Sequence, residues 1–138
     1  MANFHHIGLF VKNIEYGLNK LSELIDIKEV EDKIVDDELC VIVLFVLDCD
    51  GVRYELVAPN GLDNPVDGVL NSKKNILNHI AYTSMSFDED ILNLRDKGCI
   101  PLGPAKKAKA FSGARVIFFL TPLGFIYELI EKPVDSRV

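Results

Sequence analysis

Tyr54-Glu55-Leu56-Val57 returns later in the chain as Tyr127-Glu128-Leu129-Ile130. The two glutamates lie 73 positions apart, and the same offset carries His6-Ile7-Gly8 onto His79-Ile80-Ala81. Each half of the chain therefore offers one His and, 49 positions later, one Glu. Self-similarity at a fixed period marks a duplicated structural unit. Further out, Val43-Leu44-Phe45-Val46-Leu47 falls on Val116-Ile117-Phe118-Phe119-Leu120 at the same offset. Gly51 falls on Gly124, and Leu18 and Leu21 fall on Ile91 and Leu94. A strand, a turn glycine and a helix stripe thus repeat together with the histidines and glutamates.

Hydrophobic periodicity assigns the elements of the first half. Phe4–Val11 reads as a strand, with Phe4, His6, Gly8 and Phe10 on one face. Asn13 caps a helix over 14–26 whose stripe is Leu18, Leu21, Leu24 and Ile25. An exposed strand over 27–35 and a buried one from Leu39 to Leu47 follow. Asp48-Cys49-Asp50-Gly51 turns the chain into a strand from Val52 to Ala58, with Glu55 on the face of Arg53 and Val57. Residues 59–75 are a connector rich in turn formers, with a short helix around Val66, Val69 and Leu70.

The second half repeats the order. A strand over 76–84 carries Leu77, His79, Ala81 and Thr83 on one face, and a helix over 87–97 turns Ile91, Leu92 and Leu94 inward before the C-cap Gly98. A short strand over 100–104, a basic loop over 105–111 and hairpin strands over 114–120 and 125–131 follow, turning at Thr121-Pro122-Leu123-Gly124. The tail from Lys132 is polar and expected to fray. The expected fold class is α+β: two tandem βαβββ modules, about 3–59 and 76–132, in a single domain of 1–138.

Bulk properties narrow the function classes. A formal net charge of −6 argues against nucleic acid as the main partner. The longest apolar run, Leu39 to Leu47, is too short to cross a bilayer as a helix, and the N-terminus lacks a basic-then-apolar leader pattern. No membrane partner is expected. Cys40, Cys49 and Cys99 form no C-x-x-C, which suits structural thiols in a reducing cytoplasm.

Two imidazoles and two carboxylates, His6, Glu55, His79 and Glu128, make a donor set of intermediate hardness. It suits Zn, Ni, Co, Mn or Fe(II) better than Ca or Mg, which prefer oxygen shells. A strand His taken alone is more often a packed or surface residue, and a strand Glu can face solvent on a half-exposed sheet. A Glu buried in an apolar strand needs a partner, because an unpaired buried carboxylate is costly. Four protein donors leave open positions on a six-coordinate ion for water or substrate. His5 points to the face opposite His6 and reads as structural. Lys106, Lys107, Lys109 and Arg115 read as a solvated loop, with a seat for phosphates as the functional alternative. Phe118-Phe119 reads as core.

At these residues the chain resembles the vicinal-oxygen-chelate superfamily, also called the glyoxalase/bleomycin-resistance/dioxygenase superfamily, from Phe4 to Glu131. The resemblance implies paired βαβββ modules in a curved mixed sheet around a metal cleft, with ligands from the first and fourth strands of each module. Within it, Glu55-Leu56-Val57-Ala58-Pro59 and Asp63-Asn64-Pro65-Val66 are similar to the methylmalonyl-CoA epimerase family. That likeness implies proton abstraction alpha to a metal-bound carbonyl, an acyl-CoA thioester among the small-molecule substrates, and Glu128 as both ligand and base. Asn78 stands where that family usually has a second His, and Val41 to Leu44 carries no acid for the opposite proton face; Glu38 just precedes it. Glyoxalase I (lactoylglutathione lyase) has similar ligands, but Phe10 and Pro59 replace its usual glutathione-binding Arg and Asn. A ligand-binding protein that retains metal without turnover is a third alternative. The family and the apolar strand also imply a homodimer.

Overall fold

The computed structural model describes residues 2–72 and 77–132. The expected strand start at Ile76, connector residues 73–75, the side chain of Leu77 and the tail beyond Lys132 lie outside the described residues. The elements run β1 (Asn3–Phe10), α1 (Ile14–Leu24), β2 (Ile27–Val30), β3 (Ile34–Asp36), β4 (Val41–Asp48), β5 (Arg53–Pro59), α2 (Pro65–Ser72), β6 (Leu77–Ser84), α3 (Phe87–Asp96), β7 (Ile100–Pro101), β8 (Lys106–Ala108), β9 (Ala114–Leu120) and β10 (Ile126–Glu131). By contacts the chain divides into two compact units, His6–Asn78 and Met1–His5 with His79–Val138.

In the first of these units the strand order is β2-β4-β5-β1, with β3 also on β4. In the other it is β6-β10-β9-β7, with β8 also on β9. The first and last strands of each module run parallel, and the remaining pairs are antiparallel. The class is therefore α+β with mixed pairing, as the periodicity predicts.

Local hydrogen bonds fix the helix starts and the hairpin turns. Asn13 accepts a hydrogen bond from the Tyr16 amide at 2.7 Å, which starts α1. The Asp48 carboxylate accepts from the amides of Asp50 and Val52, and Gly51, at φ 87°, closes that hairpin. At the equivalent hairpin the Gly124 amide donates to the Thr121 carbonyl, and Gly124 sits at φ 88°. In the connector, Asn64 accepts from the amides of Val66 and Asp67, starting α2 and turning Val66 into a fully buried position.

Each helix packs on its own strands. α1 covers β4 and β5 through Ile14, Leu21, Leu44, Val46, Leu56 and Ala58. α3 closes over Ile117, Phe119 and Leu129 through Phe87, with Ile91 and Leu94 at the margin.

Several expectations are corrected. Leu24 is 80% exposed and Leu92 63% exposed, so neither belongs to an inward stripe. On α3 the inward positions are 87, 91 and 94, and Leu92 lies about 100° around the helix from Ile91. α1 ends at Leu24, before another turn could bury it. The strand expected over 27–35 is two short strands, β2 and β3, both antiparallel to β4. Cys40 takes a left-handed conformation at φ 59°, so β4 begins at Val41 rather than Leu39. The basic loop over 105–111 holds β8 and a 3-10 turn, because the backbone of Lys106–Ala108 pairs with β9.

Candidate metal centre

Strand register brings the predicted ligands together in pairs. β1 and β5 are parallel with Gly8 opposite Glu55. His6, two residues before Gly8, shares its face and lies diagonal to Glu55. His6 Nε2 lies 3.1 Å from Glu55 Oε1, and both residues are buried. β6 and β10 repeat the arrangement with Ala81 opposite Glu128. There His79 Nε2 lies 3.0 Å from Glu128 Oε1, again between buried residues. In each module the residue facing the Glu is small, Gly8 or Ala81, which leaves the space beside it to the diagonal His.

The donor chemistry fits a divalent cation. All four residues are buried, and each offers one imidazole nitrogen or carboxylate oxygen of the kind such an ion takes. Within a pair, a separation near 3 Å is what two adjacent positions require on an ion with bonds of ~2.1 Å. The close approach of an imidazole to each carboxylate offsets part of its desolvation.

Sequence reasoning missed one further member of each pair's surroundings. The His6 ring meets Phe45 edge-to-face, with centroids 5.4 Å apart at 74°. His79 meets Phe118 at 5.5 Å and 81°. Phe118 therefore lies against His79, whereas Phe119 is fully buried under α3 as core. The available signal was that Phe45 falls on Phe118 at the 73-residue offset.

The other candidates resolve differently. His5 packs edge-to-face on Phe111, with centroids 5.6 Å apart, and is half-buried. Asn78 is buried, one position from His79 and so on the opposite face of β6. Glu38 is exposed beyond β4. Arg115 leaves the expected basic cluster: its guanidinium donates to Asp88 at 3.3 Å and to Glu131 at 2.8 Å, and lies over the Phe87 ring. Its hydrogen bonds to Glu131 and Asp88 raise its pKa, and Arg115 in turn holds the Glu131 carboxyl below the usual carboxylate range. Lys106 and Lys107 are exposed on β8. Behind Glu128, Tyr127 stacks on Tyr82 at 4.7 Å, and burial pushes its hydroxyl up to about 12. No helix among the described residues is long and apolar enough to cross a membrane.

Residues 5–118 match the Glyoxalase/Bleomycin resistance protein/Dioxygenase superfamily, and the chain belongs to that family. Its fold is similar to that of a hypothetical protein of Bacillus halodurans, with TM-score 0.76, 21% identity and 99% of each chain covered. It is also similar to methylmalonyl-CoA epimerase from Mycobacterium tuberculosis, with TM-score 0.76 and 17% identity over 95% of this chain and 87% of that one. A third likeness is to the Streptomyces coelicolor methylmalonyl-CoA epimerase solved in complex with 2-nitronate-propionyl-CoA, with TM-score 0.74 and 22% identity over 96% and 98%. No curated protein sequence matches the chain.

Proposed function

We propose that the protein is a divalent-metal-dependent epimerase acting on an acyl-CoA thioester, with His6, Glu55, His79 and Glu128 as the ligands of one ion. The observation that carries this reading is the buried His–Glu contact, at 3.1 Å in one module and 3.0 Å in the other, from the same strand register. Two carboxylates with two neutral imidazoles carry a charge of −2, which a divalent cation neutralises. Zn, Ni, Co, Mn and Fe(II) all suit such a donor set.

A bound ion would supply Lewis-acid polarisation of a substrate carbonyl. The chain's own residues do the rest. Glu128 accepts the proton from the alpha carbon, the C–H electron pair delocalises onto the carbonyl oxygen, and a proton returns to the carbon. The apolar strand β4 offers no acid between Val41 and Leu44, so the donor on the opposite face is a residue other than those. A single domain of two modules, a homodimeric assembly and a cytoplasmic setting complete the proposal.

Glyoxalase I-type isomerisation of a hemithioacetal uses a similar quartet and is the second reading; a metal-retaining ligand-binding protein is the third. Metal-loaded protein incubated with methylmalonyl-CoA in heavy water separates them. Deuterium at the alpha carbon is expected. Lactoylglutathione formed in a parallel assay, with no exchange, would favour the second; saturable acyl-CoA binding with neither reaction would favour the third.

A further inference from the structure

We propose that Phe45 and Phe118 are positioning residues for the metal ligands, each fixing the ring plane of its own module's histidine. The inference rests on the quartet being a metal site. Register places the two phenylalanines identically: Phe45 lies opposite Glu55 across β4 and β5, and Phe118 lies opposite Glu128 across β9 and β10. Cross-strand partners share a face. Each module thus sets a His, a Glu and a Phe on one face, with the Phe against the imidazole and beside the carboxylate.

The two edge-to-face contacts differ by only 0.1 Å and 7°, read from 5.4 Å and 74° against 5.5 Å and 81°. The surroundings are not so alike. Phe45 is buried and Phe118 half-buried, and the next residue along is Val46 in one module and Phe119 in the other. The neighbours have changed size while the ring against the histidine has not.

An imidazole on a strand can rotate about its Cβ–Cγ bond, and its Nε2 then swings away from the ion. Aromatic pairs favour a T-shaped arrangement, which resists that rotation. A leucine of similar bulk fills the space and leaves the ring plane unset. Loss of a group that orients a metal ligand typically weakens metal binding by ~10–100-fold.

The test uses the full chain loaded with Co(II). Affinity is read by competition with a chromophoric chelator, the ligand field by visible absorption, and folding by thermal melting. Phe45→Leu and Phe118→Leu are each expected to weaken Co(II) binding by about tenfold, at the lower end for such partners, and to shift the absorption bands. Phe118→Tyr, which keeps the ring, is expected to bind as the parent does. Phe119→Leu, a core change on the opposite face, is expected to lower the melting temperature and leave affinity and spectrum unchanged. Should a Leu variant fail to fold, Phe45→Met or Phe118→Met reads the same quantity. Parental affinity and spectrum in folded Leu or Met variants would overturn the inference and leave the metal site standing, as would Phe119→Leu reproducing the full loss. A parent chain that binds no Co(II) would overturn both.

Discussion

Val11 and Gly17 in the first module correspond, at the 73-residue offset, to Ser84 and Asp90 in the second. The two pairs join a strand end to a helix by different physics. A Cβ on Gly17 would lie 2.7–3.0 Å from the Val11 side chain, so glycine is what lets α1 approach β1. Glycine inside a helix costs about 1 kcal/mol relative to alanine, and here close packing offsets it. In the second module the buried Ser84 hydroxyl donates to the Asp90 carboxylate and accepts from the Ser86 amide, which starts α3. The helix faces diverge elsewhere too: Ile14 and Val46 in one core stand where Phe87 and Phe119 stand in the other. On the opposite face His, small residue, Glu and Phe keep their places in both modules. The helix face could repack because any combination that fills the volume serves; the opposite face keeps its His–Glu contact at the same spacing in both modules.

The largest expected effect tests the positions both cores share. Leu56 and Leu129 are each almost fully buried under their helix. Leu56→Ala and Leu129→Ala should each cost ~2–5 kcal/mol in denaturant unfolding. A large loss from only one would show that the cores are not equivalent in load.

The next effect exchanges the two junctions. Gly17→Asp forces a side chain onto Val11 and should cost ~1–3 kcal/mol. Val11→Ser added to it should recover about 1 kcal/mol or more, because the transplanted pair can form the hydrogen bond seen in the second module. Simple additivity of the two substitutions would contradict the correspondence. Ser84→Ala should cost ~1–3 kcal/mol by stripping Asp90 of its donor.

Much of this was legible in the sequence. The offset of 73 located the two His–Glu pairs, because a buried pair of this kind tolerates few residue types and the letters themselves repeat. Helix and strand order followed from periodicity. What failed was finer. Leu24 and Leu92 read as inward because leucine looks the same at a core position and one residue off it. The left-handed Cys40 was invisible, since nothing in a Leu-Cys-Val run signals a positive φ. Adjacent phenylalanines point to opposite faces, and only register says that Phe118 rather than Phe119 meets His79. Arg115 reads as part of a basic patch because its partner Asp88 is far away in sequence.

The smallest effect concerns a contact found in the second module alone, where Glu131 stands at the place of Ala58. Glu131 has its pKa lowered by Arg115, so the pair's stabilisation is present above the unfolded carboxylate pKa and is lost as pH falls through the lower folded value. Both side chains are about a third exposed, at 37% and 34%, so solvent screening limits the pair to ~1 kcal/mol or less. Thermal melts of Arg115→Met and the parent should therefore differ most near neutral pH and converge in acid. A gap that widens in acid would contradict the assignment.

Metal stoichiometry tests the proposed ligand set most directly. Metal-free protein titrated with Zn or Co(II), followed by calorimetry, is expected to take up one ion per chain. His6→Ala and His79→Ala should each abolish that binding while the variant remains folded. Uptake of no ion by the parent, of two ions per chain, or full retention of affinity in either His variant would contradict a single centre built from both modules.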